Sequence, residues 1–394
     1  MTTPRAPELS DRAVALKPSL TLAIAAKAKE LQQAGRDICS LSAGEPDFDT
    51  PAFIVEAARR ALIDGVTRYG PAAGDPALRA AVAEKLSQEN GVATRPEQVL
   101  ITNGGKQAIY NLFQVLLNPG DQVLLPAPYW LSYPEMAGLA GAEVKVIPTQ
   151  AEEGFRLDLA ALEAAITPRS RLLVLNTPGN PTGRVMERQE LEALAELVRR
   201  YPQLLVMSDE IYEFLLAEGE QHHSFAAIAP DLADRCFTVN GFAKGWAMTG
   251  WRLGYLAGHQ DVIKAAAALQ SQSTSNVCSF AQRGALAAIE GPRDCVTAMA
   301  ESYNRRRKLL TEGLQAIEGI TLVKPRGAFY AFPLLPESAG GSMDFCRRAL
   351  DQQGLAVVPG LAFGDDRCIR LSCAVSRETI RDGLSRLKLL LNAN

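Results

Sequence analysis

Histidine is scarce: the 394-residue chain has three, and two of them, His222 and His223, are neighbours in the polar run 218–223. Neither a histidine-built metal centre nor a Ser-His hydrolytic site has material to draw on, so no metal is expected. The seven cysteines, at 39, 236, 278, 295, 346, 368 and 373, are odd in number and include no C-x-x-C. That pattern reads as reduced thiols in the cytoplasm rather than a disulfide framework. No apolar run approaches the roughly 18 residues that span a membrane, and the opening MTTPRAPELSDR lacks the apolar core of a secretory leader, so no membrane partner is expected. Charge of one sign is also missing: the net value is −3 with acidic and basic residues interspersed, which excludes nucleic acid as an expected partner. One dense basic run, Tyr303-Asn304-Arg305-Arg306-Arg307-Lys308, lies in a helix-forming stretch and is expected to form a solvated face. Internal repeats, low-complexity tracts and Ser/Gly linkers are absent from the sequence.

What the chain does have is length and rhythm. At 394 residues it exceeds what one hydrophobic core usually supports, so two lobes are expected. Short apolar runs alternate with longer amphipathic ones: Val99 to Thr102, then QVLLP, EVKVI, RLLVLN, LLVMS, RCFTVN and RLGYLAG. About seven strands with helices between them predict an α/β lobe with a mainly parallel sheet flanked by helices. After 263 the pattern turns helix-rich, then gives TLVKP, GAFYAFP, LAVVP and CIRLSCA with few helices between, as in a smaller α+β lobe. In such folds function collects at the carboxyl ends of strands.

Polar residues gather at those predicted ends. VNGFAKGWAMTGWRLGY puts Lys244 among Gly241, Phe242, Trp246, Gly250 and Trp251, where an ammonium loses hydration. Desolvation favours the neutral amine, the form that attacks aldehydes such as pyridoxal phosphate (PLP). Arg252, eight residues on, opens RLGYLAG and supplies a cation for a phosphate; the plain alternative for Lys244 is a solvated loop lysine. Gly104-Gly105-Lys106 joins a strand to a helix and offers free amides to an anion. The loop SLSAGEPDFDTP, 41–51 from its leucine, can aim the Gly44 amide at a second one. Asn180 in TPGNPTG and Asp209 with Tyr212 in SDEIY follow apolar strands; an Asn-Pro turn and a helix-capping Asp are their plain alternatives. Arg370 in CIRLSCA sits between apolar neighbours and needs a carboxylate, either from the core or from a substrate.

Taken together, KPSLTLAI, AGEPDFDTP, RYGPAAG, ITNGGKQA, PYWLSYPE, NTPGNPTG, SDEIY, AKGWAMTGWRLGY, GAFY and IRLS resemble, in order and spacing, the class I aminotransferases of PLP fold type I, in the prokaryotic-type aspartate branch. The resemblance implies an N-terminal segment 1–50 contributing to the small domain and the site's entrance, a large PLP-binding domain 51–290, and a small C-terminal domain 291–394. It implies that Lys244 carries the cofactor and moves the Cα proton, that Asp209 keeps the pyridine nitrogen protonated, and that Tyr212 and Asn180 bond the ring's phenolic oxygen. Trp130 would stack on the ring. Gly104, Gly105, Lys106, Arg252 and a partner chain's Tyr69 would hold the phosphate, in a homodimer that shares its sites. Arg370, with Asn180 and Gly44, would clamp the substrate α-carboxylate. Lys106, with Ser19 or Thr21 nearby, would read a second carboxylate. Ala243 and Gly241 depart from relatives that carry hydroxyl residues there, which shifts the phosphate load to Arg252 and backbone donors. The implied activity is ping-pong transamination of L-aspartate with 2-oxoglutarate on small amino and 2-oxo acids. Amination of prephenate, a lyase or synthase reaction on the same fold, and a non-catalytic PLP-binding regulator are the alternatives.

Overall fold

The computed structural model describes residues 8–16, 18 and 20–392. Its strands, in chain order, are β1 (Cys39–Ser40), β2 (Val99–Thr102), β3 (Gln122–Pro126), β4 (Glu143–Ile147), β5 (Ser170–Asn176), β6 (Leu205–Asp209), β7 (Cys236–Gly241), β8 (Gly254–Ala257), β9 (Tyr330–Ala331), β10 (Leu355–Ala356), β11 (Val358–Pro359) and β12 (Ile369–Ser372). Strands β2 to β8 form one seven-stranded sheet in the order β2-β8-β7-β6-β5-β3-β4. Only β8 runs against its neighbours, β2 and β7; the other pairs are parallel. The α/β architecture with a mainly parallel sheet is therefore present as expected.

Side chains alternate across this sheet, as pleating requires. Val123 and Leu125 of β3 pack under the helices Gly105–Leu116 and Ser132–Leu139. Leu124, with Leu173 of β5 and Val206 of β6, faces the other way onto the helix Arg188–Arg200. That helix buries Leu191, Leu194, Leu197 and Val198 at three- to four-residue spacing and starts in a capping box between Glu187 and Glu190. With both faces covered, β6 is buried along its whole length.

The remaining strands build two small sheets. β11, β12 and β9 are antiparallel, while β1 pairs in parallel with β10 through Cys39 and Leu355. Residues near the N-terminus thus fold with the C-terminal third. The long helix Asp294–Gln315 and the last helix Arg377–Asn392 close this region over Phe329, Phe345, Ile369 and Leu371.

Three local expectations change. TLVKP forms no strand: Thr321 makes one isolated bridge to Leu334, and after Pro325 the amides of Arg326 and Gly327 both turn to the Gly183 carbonyl. Arg252 does not open β8; it sits two residues before it in a left-handed conformation with φ +56°. The basic run is not one solvated face. Arg306 reaches across to Asp47 at 2.7 Å between the rings of Phe48 and Tyr303, and Arg307 is buried, donating to the Ala328 carbonyl. Successive helical residues point about 100° apart, so four cations in a row cannot share a face. Among the described residues, no helix is long and apolar enough to cross a membrane.

Candidate active site

Sheet topology brings the candidate residues to one edge. Gly104 follows β2, Asn180 follows β5, Asp209 ends β6 and Lys244 follows β7, all at carboxyl ends. Because β8 is antiparallel, its amino end lies at this same edge, and Arg252 just before it joins the group. Opposite stand Arg370 on β12 and the loop after β1 that holds Gly44. A cavity of about 710 Å³ separates the two sides and is lined by Thr21, Gly44, Gly104, Gly105, Lys106, Trp130, Asn180, Asp209, Tyr212, Lys244, Arg252 and Arg370.

Lys244 Nζ donates to the Gly44 carbonyl at 2.5 Å and lies 5.7 Å and 5.6 Å from the ring centres of Tyr212 and Phe329. It is only partly exposed and lines the cavity. Desolvation pushes the amine down to about 8, against the opposing charge of Glu45 and with the help of Arg370 and Arg252. A lysine in that state is part-neutral near physiological pH.

Asp209 is buried, and its Oδ2 accepts from the Tyr133 hydroxyl at 2.7 Å. Burial raises the carboxyl to about 6, although the Tyr133 and Ile211 donors pull it back. It caps no α-helix, since the residues after it form turns, so the plain alternative for this position does not hold. Asn176, Cα partner of Asp209 across β5 and β6, donates to the Asp209 carbonyl at 3.0 Å and accepts from the Asn180 amide at 2.8 Å. Tyr212 and Tyr330 join hydroxyls at 3.0 Å, both buried.

Arg370 is 2% exposed. Its Nη1 donates to Asn180 Oδ1 and its Nη2 to the Ser42 carbonyl, each at 3.1 Å, and the guanidinium lies over Tyr330 and Phe363. Nε is buried with no partner. Among the described residues no carboxylate answers this cation, so a core ion pair is not its purpose. Lys106 lies 4.9 Å over the Trp130 ring, and burial together with Arg252 holds its ammonium below the ordinary value. Thr21 Oγ1 is a second buried polar atom without a partner. Ser19 lies outside the described residues. Tyr69 is 92% exposed and does not line this cavity.

Arg252 donates to the Thr249 and Asn103 carbonyls at 2.9 Å and 3.3 Å, which aims its fork at the start of the helix Gly105–Leu116. Gly104 has φ +82°, and a Cβ there would stand 2.7 Å from Arg252 Nη2; only glycine lets the guanidinium lie over the helix amides. Gly241 is equally constrained: a Cβ would meet Gly254 Cα at 2.8 Å, so a hydroxyl residue does not fit this backbone. Tyr133, Tyr330, Asn176 and Glu45 were missed in the sequence. Tyr133 and Tyr330 lie inside the motifs PYWLSY and GAFY, but what singles them out is a partner far away in the chain.

The model for aminotransferase class I and II matches residues 36–387. The chain belongs to that family. As an aminotransferase it resembles a Petunia hybrida bifunctional aspartate aminotransferase and glutamate/aspartate-prephenate aminotransferase, 47% identical over 97% of this chain and 82% of the relative. An aspartate/prephenate aminotransferase of Thermus thermophilus is 48% identical over 97% of this chain and 98% of its own. Among solved structures, the Thermus thermophilus aspartate aminotransferase with maleate gives a TM-score of 0.94, covering 98% of this chain and 100% of that one at 48% identity. The Rhizobium meliloti aspartate aminotransferase gives 0.95 at 37% identity, covering 98% and 99%. Aminotransferases of this class depend on PLP, and the donor set here fits it. A near-neutral lysine, a buried carboxylate, and an arginine folded over a glycine-opened helix N-terminus are what an aldehyde, a ring nitrogen and a phosphate require. Among the described residues no group of three or more His, Cys, Asp or Glu is placed to hold a metal ion.

Proposed function

We propose that this aminotransferase moves the amino group of L-aspartate to 2-oxoglutarate, giving oxaloacetate and L-glutamate in two ping-pong half-reactions. The observation that carries the reading is Arg370, a buried guanidinium with an orphan Nε and no anion of its own. Two further cations, Lys106 and Arg252, border the same cavity. These cations, with Lys29 also on the lining, suit a dicarboxylic amino acid and a phosphate-bearing cofactor. The Thermus structure with maleate, a four-carbon dicarboxylate, supports the same substrate class.

Bound PLP supplies an aldehyde that takes up the amino group and a cationic ring that accepts the electron pair left at Cα. Lys244 holds the cofactor and passes the Cα proton, for which an amine near 8 is suited. Asp209, steadied by Tyr133, would keep the ring nitrogen protonated, while Tyr212 and Asn180 would hold the phenolic oxygen and Trp130 would pack against the ring. Arg252 and the amides of Gly104, Gly105 and Lys106 take the phosphate. Arg370, Asn180 and the Gly44 amide take the α-carboxylate. Lys106 Nζ and Thr21 take the distal one. We also assign the described residues up to 50 and from 291 to a lobe beside a large cofactor-binding domain 51–290; the pairing of β1 with β10 supports that division. A homodimer completes the site with Tyr69 of the partner subunit. Its exposure, and that of the apolar Val55, Leu62 and Ile63, supports such an interface. Seven unpaired cysteines fit a reducing, cytoplasmic setting.

Amination of prephenate is a second reading, favoured by the cavity of about 710 Å³ and by the names of the Petunia and Thermus relatives. Bleaching of the cofactor absorbance by single amino acids, read as kcat/KM, tests the first reading: aspartate and glutamate should far exceed alanine. Failure of aspartate to bleach the band would contradict it. With glutamate as donor, absence of turnover on prephenate beside turnover on oxaloacetate removes the second.

A further inference from the structure

Of the described residues lining the cavity, only Glu45 and Asp209 are acids. Asp209 is engaged with Tyr133 on the floor. Glu45 stands at the opposite wall, one residue after the carbonyl that accepts from Lys244 Nζ at 2.5 Å. Its Oε2 accepts from Thr249 Oγ1 at 2.7 Å, and the Thr249 carbonyl accepts from Arg252 Nη1 at 2.9 Å. Further along the loop, Asp47 is held by Arg306 at 2.7 Å, and Thr50 donates to the Ala247 carbonyl at 2.7 Å while accepting from Trp251 Nε1 at 3.0 Å. Glu45 is exposed at the cavity mouth, but its loop and its carboxylate are both tied to the turn that carries Lys244 and Arg252.

The groups facing Lys244 come from every wall. Arg370 on β12 and Arg252 before β8 are cations that push its proton off, with Lys106 and Lys29 also lining the same cavity. Tyr212 and Tyr330 are neutral hydroxyls bonded to each other. Asp209 on β6 and Glu45 both favour the protonated amine, and of the two only Glu45 lies on the wall whose carbonyl receives Lys244 Nζ.

We propose that Glu45 is a positioning residue for Lys244, the counter-charge that lets the lysine hold a proton between taking it from Cα and returning it. The inference rests on the aminotransferase reading. Without Glu45, burial and two guanidiniums favour loss of that proton to water before it can be returned.

The test follows the rate at which cofactor-free protein captures PLP, by absorbance, as a function of pH. Only the neutral amine attacks, so the rate should rise through about 8 in the native chain. Glu45→Gln removes the counter-charge and should move this midpoint down by about 0.5 to 1 pH unit, a rate gain of roughly three- to tenfold at neutral pH, the exposed carboxylate being partly screened. Glu45→Asp should restore most of the native profile. Thr249→Val, which frees the carboxylate, should give a smaller shift in the same direction. Holoenzyme carrying Glu45→Gln should show the alkaline limb of its kcat profile displaced to lower pH. An unmoved capture profile in Glu45→Gln, or the same shift in Glu45→Asp, overturns the role of Glu45 while leaving the aminotransferase reading in place. A native chain that captures no PLP overturns both.

Discussion

The floor and the rim of this cavity are built to opposite rules. On the floor the carboxylates and tyrosines are answered within the chain: Asp209 has Tyr133 and the Ile211 amide, Tyr212 has Tyr330, and behind them Glu213 is met by Lys85, Asn90 and Asn240. At the rim the chain leaves donors unanswered: Arg370 Nε and Thr21 Oγ1 are buried without partners, and Lys106, exposed, lies over Trp130 with no carboxylate. A buried donor left open costs about 1 to 3 kcal/mol. At the rim, where these donors line the cavity, a bound ligand can remove that cost. The floor therefore holds and tunes, and the rim recognises.

Substitutions separate the two regions. The largest effect belongs to Lys244, where they meet: Lys244→Ala should abolish the cofactor's visible absorbance and lower turnover by about 10⁴-fold or more, measured by spectrum and half-reaction rate. Retained turnover would remove the assignment. On the floor, Asp209→Ala should leave PLP bound while Cα deprotonation, followed by deuterium exchange, falls by roughly 10²- to 10³-fold. Undiminished exchange would place the electron-drawing charge elsewhere. The same residue gives a pH signature in the cofactor-free protein. Its carboxyl is at about 6 when folded and near the ordinary 3.8 when unfolded, so the folded state binds the extra proton between those values. Stability should fall as pH rises from about 4 to about 6, and Asp209→Asn should flatten that slope in thermal melts.

Rim substitutions should act on affinity. Arg370→Ala should raise KM for every amino acid alike, with kcat/KM lower by roughly 10²- to 10³-fold, as expected for a broken buried ion pair. A loss confined to aspartate would show that it reads the side chain instead. Lys106→Ala should be milder, about 10- to 100-fold, and selective: aspartate should suffer far more than alanine. Equal losses on both would break the division of labour proposed for the rim.

Most of the large sheet was legible because its signals are local. Apolar runs such as LLVMS and RLLVLN are continuous where strands are covered on both faces, and each is followed by the residue that ends up at the cavity. Asn180, Asp209 and Lys244 were singled out as candidates by that logic and their surroundings, and their roles came from the family resemblance. The small sheets were harder to read, since β9, β10 and β11 are two residues each and owe their existence to partners elsewhere in the chain. The same reason hid Tyr133, Tyr330 and Asn176, whose importance lies in contacts with Asp209, Tyr212 and Asn180. Arg252 was visible as a cation but not as a left-handed residue, a conformation set by the turn through Thr249 and by its carbonyl contacts. Arg306 and Arg307 looked solvated because a run of cations carries no mark of the carboxylate or carbonyl that will meet each one.

The central claim is that one lysine amine, lowered to about 8 by burial, is the point at which the cofactor is attached. Borohydride reduction of purified holoprotein followed by peptide mass mapping tests it most directly. The peptide containing Lys244 should carry a pyridoxyl group on that side chain; an unlabelled Lys244, or a label on Lys106 instead, would contradict the account.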